Sequence, residues 1–262
     1  MNNANTYSKK DFDFKRVAQG YKERPFLHKQ VIERCQSDIS RELFSNGLDV
    51  GCGAGLSSKA LKQICEHVTG IDISQEMIAV AREVCGDSQE YDFFVSSAEE
   101  IPPAKEKYDI VTAAGVIQWI NRENFLRNLR KIISKRGYIL IYDFCISDRM
   151  KDSETYSEWW HNAYLKKFPK PFRNESVWTR QDVEPYQFSM IDQVQYEMEY
   201  QFDMESFIKF MMIQSNVNAK IEGEGRNIEE VRKWFEQSLK SVFHNRQKTA
   251  IFTGYSWYMK ML

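Results

Sequence analysis

The stretch Asp49-Val50-Gly51-Cys52-Gly53-Ala54-Gly55 decides the fold of this chain. It predicts the end of a buried strand that turns through three glycines into a helix beginning near Leu56. Glycine at every second position lets the backbone approach a ligand closely, because a Cβ there would clash. The start of the helix behind the glycines presents free N–H groups to a negatively polarised ligand group. This stretch therefore predicts a binding loop between a strand and a helix.

A second stretch, Gly70-Ile71-Asp72-Ile73-Ser74, predicts the following strand, which ends in an acidic residue. An acid about twenty residues beyond such a loop lies where the ribose of a nucleotide presents its hydroxyls. The dinucleotide fingerprint G-x-G-x-x-G would require a third glycine at position 56, which is Leu56 here, whereas the third glycine is Gly55. We therefore expect an adenosine-containing ligand other than a nicotinamide dinucleotide.

Four motifs within residues 46–145 resemble, in order, those of the S-adenosylmethionine-dependent methyltransferases with a Rossmann-like fold. The pattern D-x-G-x-G-x-G over residues 49–55 resembles motif I of that family. Residues 95–102 resemble its adenine-contacting turn, residues 108–119 its motif IV, and residues 135–141 the start of its fifth strand. Within the family, the chain resembles the small-molecule branch that includes trans-aconitate and ubiquinone-biosynthesis methyltransferases.

Short apolar strands alternate with helices between residues 48 and 143, which predicts a parallel sheet covered on both faces. The predicted strands lie at residues 48–50, 67–71, 92–95, 109–113, 138–143, 194–200 and 249–257. Predicted helices lie within residues 10–40, where Pro25 interrupts them, and at residues 56–65 and 228–242. Three further helices are predicted to begin after the capping residues Ser74, Asn121 and Asp203. The resemblance implies an α/β fold with a doubly wound, seven-stranded, mostly parallel sheet, an antiparallel last strand and a helical cap insertion.

The length of 262 residues suffices for one large domain. We expect a single methyltransferase domain over residues 1–262. Residues 10–40 would form a helical cover and 46–145 the cofactor-binding core. Residues 147–190 would be an acceptor-site cap insertion, and 191–262 would complete the sheet.

Composition narrows the class of protein. The net charge is near −1, so the chain lacks the excess of positive charge that is typical of proteins that bind nucleic acid or an anionic membrane. No apolar stretch reaches the roughly 18–20 residues of a membrane span, and residues 1–10 lack the apolar core of a signal peptide, so we expect a cytoplasmic location without a membrane partner. Separately, we expect a monomer or a homodimer. Five scattered cysteines and four histidines show no metal-ligand spacing, so no metal is expected. Cys52 is interpreted as a small buried residue; the alternative is a thiol whose alkylation blocks the cofactor.

The resemblance implies roles for the loop and the acid. Gly51, Gly53 and Gly55 would pack their backbone against the methionine part of S-adenosylmethionine. Asp49 would orient the loop and attract the ammonium group of the cofactor. Asp72 would accept hydrogen bonds from both ribose hydroxyls; the alternative is a helix-cap role shared with Ser74.

Other cofactor contacts also follow from the resemblance. Ile73 would press on the adenine face, and Ser97 and Ala98 would form the adenine-edge turn. Many family members have an acid where this chain has Ser97, so the usual side-chain contact is weakened and the backbone N–H of Ala98 would serve. Ala114, followed by Gly115, would line the cofactor near its sulfur.

The segment from Tyr21 to Pro25 resembles one in the small-molecule branch, where the N-terminal helix closes over the cofactor. Tyr21 and Arg24 would then reach the carboxylate of the cofactor. The alternative is an ordinary surface turn before Pro25.

Acceptor contacts are expected from two places. Gln118 and Trp119 follow motif IV, where residues of the family face the transferring methyl group, so they are the candidates for catalytic residues. The predicted cap is rich in aromatic rings, which make a large apolar wall with polar tips. These rings are Tyr156, Trp159, Trp160, Tyr164, Phe168, Phe172, Trp178, Tyr186 and Phe188. For any one ring, packing of the cap is the favoured role; His161 is either a base in the cap or a hydrogen-bonded structural residue.

We therefore expect an enzyme that moves a methyl group from S-adenosylmethionine to a small organic acceptor by in-line displacement, a task of positioning for which a general base is optional. The alternative is a non-catalytic S-adenosylmethionine-binding module or complex subunit. Methylation of nucleic acid is disfavoured, because the segment 114–117 lacks the [D/N]-P-P-[Y/F] signature that positions a flipped base.

Overall fold

The structure of the chain is a computed structural model that describes residues 14–40, 43–86, 89–101, 106–151, 153–170 and 177–262. Its strands form one seven-stranded sheet. The strands are β1 Phe44–Val50, β2 Cys65–Asp72, β3 Tyr91–Val95, β4 Tyr108–Ala114, β5 Ile133–Lys151, β6 Phe188–Phe202 and β7 Lys248–Met261. Their order is β3-β2-β1-β4-β5-β7-β6.

The direction of the strands confirms the predicted fold class. Strands β1 to β5 pair in parallel, and β7 is antiparallel. Parallel strands put their carboxyl ends at one edge of the sheet, and ligands of such sheets bind outside that edge. The glycine loop follows β1, and Asp72 ends β2. The fold therefore places both stretches that the sequence singled out at neighbouring strand ends.

Helices connect these strands and follow β5 and β6. The α-helices of the described residues are α1 Lys15–Tyr21, α2 His28–Ile39, α3 Leu56–Leu61, α4 Gln75–Cys85, α5 Arg122–Ile132, α6 Glu154–Trp159, α7 Leu165–Lys167, α8 Arg180–Val183, α9 Met204–Met212, α10 Ser215–Asn218, α11 Ile228–Ser238 and α12 Lys240–Phe243. None of the helices in the described parts of the chain is long and apolar enough to cross a membrane.

The predicted helix caps are confirmed by side-chain hydrogen bonds. Ser74 accepts a bond from the N–H of Met77 at 3.2 Å and begins α4. Asn121 accepts one from the N–H of Asn124 at 3.0 Å and begins α5. Asp203 caps α9 in the same way. Each cap satisfies an N–H group that the helix leaves unpaired, so local sequence alone sets these three helix starts.

The chain divides into two compact units. The first unit comprises the described residues of Met1–Pro25, Cys145–Arg173 and Tyr196–Thr253, and the second those of Phe26–Phe144, Asn174–Gln195 and Gly254–Leu262. The second unit contains the glycine loop and Asp72. Its hydrophobic core includes Leu48, Val50, Ile71, Val111 and Ile141, all of them from strands β1, β2, β4 and β5.

Strand β5 corrects the predicted strand at 138–143, which was too short at both ends. Tyr108 pairs with Ile133, but Ile110 pairs with Tyr138, so β5 carries a bulge opposite β4. Arg136 lies in this bulge with a φ of +67°. Because the bulge interrupts the regular alternation of side chains, the period-two pattern of the sequence does not extend to the amino-terminal part of the strand. Beyond Asp143 the strand continues, and Ser147 donates a hydrogen bond to the backbone oxygen of Ile251 in β7 at 2.8 Å.

Other predicted bounds also change. The predicted helix 56–65 ends at Leu61, and β2 already begins at Cys65. The predicted helix 228–242 is broken at Leu239 into α11 and α12. The predicted strand at 194–200 is the second half of β6, and the one at 249–257 is most of β7. Residues 10–13 of the predicted N-terminal cover lie outside the described residues.

Candidate functional site

The glycine loop has a left-handed backbone at each of its three glycines. The φ angles are +67° at Gly51, +51° at Gly53 and +86° at Gly55. Two backbone bonds fix the turn: the N–H of Cys52 donates to the oxygen of Ile71, and the N–H of Gly55 donates to the oxygen of Cys52, both at 2.9 Å. Glycine adopts these angles without the steric penalty of other residues, so the loop conformation explains the glycine pattern.

The three glycines differ in what surrounds them. A Cβ on Gly51 would lie 2.4 Å from Cγ1 of Val116, and one on Gly55 would lie 3.0 Å from Cα of Ala81. A Cβ on Gly53 would meet no heavy atom of the described residues within 4 Å. Gly51 and Gly55 therefore serve close packing inside the protein. Gly53 presents bare backbone to open space, as a ligand cradle requires.

Asp49 is fully buried behind the loop. Its Oδ2 accepts hydrogen bonds from Oγ of Ser57 at 2.6 Å and of Ser58 at 2.7 Å, and its Oδ1 accepts one from Oγ1 of Thr112 at 2.9 Å. The serines begin α3, and Thr112 stands opposite Asp49 in β4. The carboxylate thus ties the helix after the loop to two strands. This arrangement supports the predicted loop-orienting role, whereas its attraction for a ligand ammonium stays a prediction.

Burial raises the pKa of Asp49 from 3.8 to about 6, while the three hydroxyl bonds oppose that rise and the charge of Asp72 adds to it. A buried carboxylate is costly unless it is hydrogen-bonded, so the three hydroxyls are needed to keep it in place. Sequence reasoning missed these hydroxyls. The adjacent serines directly after the glycine loop were the available signal.

Asp72 is bound to the loop itself. Its Oδ2 accepts a hydrogen bond from the N–H of Gly53, and its Oδ1 accepts one from the N–H of Ser74, both at 2.9 Å. The second bond is the helix-cap role weighed from the sequence. The first bond brings the acid and the exposed glycine together, so both can contact one ligand.

The residues predicted around adenine surround the same strand ends. Ile73 follows Asp72 and is 37% exposed. Ser97 and Ala98 lie in the turn after β3, which begins with a bond from the N–H of Ser96 to the oxygen of Asp72 at 2.9 Å. All three are accessible enough to touch a ligand. Their contact with adenine stays a prediction, and the following residues 102–105 lie outside the described residues.

The end of β4 brings together the candidates for the acceptor side. Ala114 and Gly115 are half-buried, and Gly115 has a φ of +64°. Gln118 donates from Nε2 to the backbone oxygen of Gly115 at 2.9 Å, while Trp119 is 40% exposed. The structure therefore uses Gln118 to fix the turn after β4 and leaves Trp119 as the more accessible of the two.

An acid that the sequence analysis missed lies beside this turn. A Cβ on Gly115 would lie 3.0 Å from Oδ1 of Asp143, which also accepts a hydrogen bond from the N–H of Phe144 at 2.8 Å. Asp143 was visible as an acid following an apolar strand, the same signal that selected Asp72.

Tyr21 and Arg24 belong to the first unit, whereas the loop residues belong to the second. Tyr21 and Arg24 contact each other: the guanidinium carbon of Arg24 lies 3.8 Å from the centroid of the Tyr21 ring. Nε of Arg24 is buried and has no hydrogen-bond partner within the described parts of the chain. Their predicted contact with a cofactor carboxylate stays a prediction.

The aromatic residues of the predicted cap divide between the two units. In the first unit, Trp159, Tyr164 and Phe168 are buried and pack on Phe235 of α11. In the second, Trp178 is 2% exposed and packs on Phe125 and Trp257. These rings are core residues, which is the role that the sequence analysis favoured for any one ring. Phe172 lies outside the described residues.

The remaining sequence candidates also have structural partners. His161 is hydrogen-bonded through Nε2 to Asp148 at 2.8 Å, on the surface of the first unit. Burial raises the pKa of the Cys52 thiol well above its usual value, which leaves the thiol protonated and supports the interpretation of a small buried residue. No group of three or more metal-ligating side chains forms within the residues that the structure describes.

A comparison with known families identifies the loop-bearing segment. Residues 48–141 match the family model described as a methyltransferase domain. This segment is a methyltransferase domain. The match covers the glycine loop, Asp72 and the end of β4, and it confirms the family that the motifs predicted.

Curated relatives match part of this chain rather than its whole length. Malonyl-(acyl-carrier protein) O-methyltransferase 2 of Ilyobacter polytropus is 28% identical over 137 residues, covering 50% of this chain and 52% of that protein. A ubiquinone biosynthesis O-methyltransferase of Aromatoleum aromaticum is 36% identical over 75 residues, covering 28% of this chain and 32% of that protein. The chain thus spans about half the length of the first of these relatives, and less of the second.

Among solved structures, a protein of Anaeromyxobacter dehalogenans assigned as a type II methyltransferase has the same fold. Its TM-score is 0.60 at 19% identity, covering 82% of this chain and 88% of that chain. At 19% identity this similarity is evidence for the fold alone, and it is consistent with the seven-stranded sheet described above.

Proposed function

We propose that this chain is a methyltransferase that uses S-adenosylmethionine and moves its methyl group to a small organic acceptor by in-line displacement. The observation that supports this most is the bond between the N–H of Gly53 and the carboxylate of Asp72. It joins the open glycine of the loop to the acid of the next strand, within a methyltransferase domain.

The residues present fit this cofactor. Gly53 offers backbone with room for a ligand, because within the described parts of the chain no heavy atom lies within 4 Å of where its Cβ would be. Asp72 offers a carboxylate for ribose hydroxyls, and exposed Ile73 offers an apolar face for adenine. Gly115 and Ala114 would lie beside the sulfur. Tyr21 and Arg24 would reach the carboxylate of the cofactor, as the resemblance implies.

S-adenosylmethionine supplies a methyl group that is already electrophilic, so the protein has to bind, align and exclude water. Alignment alone lowers a barrier by up to about 7–11 kcal/mol in ideal cases. Asp49 and its three hydroxyl donors hold the loop rigid for this purpose. Gln118 fixes the turn after β4, and Trp119 would contact the acceptor.

The proposal also covers the class of acceptor, the cellular location, the oligomeric state and the domain organisation. The net charge of −1 favours a small-molecule acceptor over nucleic acid. A cytoplasmic monomer or homodimer, with residues 147–190 contributing to an acceptor cap on a single domain, remains part of the proposal. The named activities of the relatives favour oxygen as the acceptor atom.

Two measurements test the proposal. Calorimetry should show S-adenosylmethionine binding with a Kd between low micromolar and sub-millimolar and no binding of NADH. Release of S-adenosylhomocysteine should then occur with at least one of trans-aconitate, 3,4-dihydroxybenzoate or a malonyl thioester. Binding of NADH in place of S-adenosylmethionine would overturn the cofactor assignment. Binding without release for an extended acceptor panel would favour the non-catalytic module.

A further inference from the structure

Helix α2 begins with a histidine that is bound to strand β5. Nδ1 of His28 lies 2.9 Å from Oη of Tyr142. The imidazole also meets the ring of Phe144 edge-on, with a centroid distance of 4.9 Å. Tyr142 is 1% exposed, whereas His28 is half-buried. A buried phenol thus anchors one side of an imidazole that has partial access to solvent.

This pair lies at the level where β4 ends. Ala114, the last residue of β4, stands opposite Tyr142 in the sheet register. The N–H of Gly115 donates to the backbone oxygen of Tyr142 at 2.8 Å. His28 is therefore held by the residue that neighbours the proposed sulfur side of the cofactor. Asp143 follows Tyr142 and lies beside Gly115.

We propose that His28 is the base that takes the proton from a hydroxyl acceptor, and that Tyr142 is its positioning residue. This inference rests on the proposed methyltransferase function and narrows its substrate to a phenol or alcohol. A carboxylate acceptor is already deprotonated near pH 7 and needs no base. A hydroxyl keeps its proton at that pH, so a placed imidazole would accelerate its methylation.

The bond to Tyr142 determines which nitrogen can act. A neutral imidazole carries one proton, and if Nδ1–H donates to Oη of Tyr142, the lone pair is on Nε2. When the acceptor oxygen takes the methyl group, its O–H bond breaks and the proton moves to Nε2. The electron pair of the broken S–CH3 bond stays on sulfur. The positive charge of the sulfonium is thereby replaced by that of the imidazolium, and the charge balances.

The other histidines of the chain have different surroundings. His67 lies near the amino end of β2 and pairs with Asp92 at 3.3 Å, and His161 lies in the first unit with Asp148. His244 follows α12. Within the second unit, His28 lies at the carboxyl edge of the sheet and His67 near the opposite edge. His67→Gln is therefore a matched control for the same substitution at position 28.

The tautomer of His28 can be measured without any acceptor. Long-range 1H–15N correlation spectra of the full chain assign the proton of each neutral imidazole to Nδ1 or Nε2. We expect His28 to carry its proton on Nδ1, and Tyr142→Phe to abolish that preference while the amide spectrum stays folded. A proton on Nε2 in the wild-type protein would overturn the inference.

Kinetics separate this inference from the proposed function. With 3,4-dihydroxybenzoate as the probe, His28→Gln should lower kcat at least about 100-fold, and Tyr142→Phe about 10-fold. In the wild type, kcat for this probe should fall toward acidic pH, and in His28→Gln this fall should be absent. The Kd for S-adenosylmethionine should change less than about two-fold in His28→Gln, and His67→Gln should keep wild-type turnover of the hydroxyl probe.

The outcomes are distinguishable. Unchanged turnover of the hydroxyl probe in His28→Gln overturns the role of His28 and leaves the proposed function standing. Turnover of the malonyl thioester alone does the same, since the acceptor is then a carboxylate. Absence of S-adenosylmethionine binding in the wild type refutes the proposed function itself.

Discussion

The carboxylate of Asp72 accepts a hydrogen bond from the N–H of Gly53 at 2.9 Å. This bond makes the acid at the end of β2 a part of the loop that follows β1. A hydrogen bond to a charged group is worth about 1.5–3 kcal/mol, so the acid contributes to the loop shape before any ligand binds. Removing Asp72 should therefore affect both loop order and ligand affinity.

Asp72→Ala should weaken S-adenosylmethionine binding by at least about 1.5 kcal/mol, because the charge-assisted bonds to both ribose hydroxyls disappear together. Calorimetry measures the change. Asp92→Ala is the matched control, since Asp92 lies on the next strand and pairs at the surface with His67. Equal affinity of the Asp72 variant and the wild type would remove Asp72 from the site.

Gly53→Ala should separate affinity from stability. The φ of +51° at Gly53 makes any L-residue strained by about 1–2 kcal/mol, but an added Cβ would meet no heavy atom within 4 Å among the residues that the structure describes. Gly225 has a φ of +67° and equally open space, so Gly225→Ala carries the same strain away from the loop. We expect similar losses in the free energy of unfolding and a loss of cofactor affinity in Gly53→Ala alone. A similar affinity in both variants would contradict the cradle assigned to Gly53.

Local sequence predicted the elements whose causes are local. The caps at Ser74 and Asn121 are set by side chains within a few residues, and the left-handed backbone at the three loop glycines is favoured by the residue type itself, so both could be predicted directly. The alternation of apolar strands gave the parallel sheet for the same reason.

What the sequence did not predict depends on residues far apart in the chain. The hydroxyl of Thr112 reaches Asp49 only because β4 pairs with β1, 63 residues away. The bulge at Arg136 and the extension of β5 along β7 are likewise products of pairing. Trp178 and Phe168 have the same composition signal, yet they pack in different units. Aromatic richness predicted burial, but it could not predict which core each ring would join.

Asp49 should make stability depend on pH in a defined window. Its pKa rises from 3.8 to about 6 on folding, so between about pH 4 and pH 6 the folded protein holds a proton that the unfolded chain has lost. The free energy of unfolding therefore falls as pH rises through this window, and it levels off above about pH 6. Asp49→Asn cannot titrate there. A rise from 3.8 to about 6 corresponds to at most about 3 kcal/mol.

Urea unfolding of both proteins at several pH values between 4 and 7 tests this expectation. The stability of Asp49→Asn relative to the wild type should increase with pH across the window, since all other titrating groups cancel in the difference. A constant difference would show that the three hydroxyl donors offset the effect of burial on the pKa, and a trend of opposite sign would show that they outweigh it.

Trp119 and Trp178 should respond differently to the same truncation. Trp178 is 2% exposed and packs between Phe125 and Trp257, so Trp178→Ala should lower the free energy of unfolding by about 3–5 kcal/mol. Trp119 is 40% exposed in the turn after β4, so Trp119→Ala should lower it by less than about 1 kcal/mol. If Trp119 contacts the acceptor, its loss should raise KM or lower kcat about 10-fold and leave cofactor affinity unchanged. Thermal unfolding and S-adenosylhomocysteine release measure both properties. Wild-type kinetics in a stable Trp119→Ala protein would place the acceptor elsewhere, and a stable Trp178→Ala protein would contradict the core position of that ring.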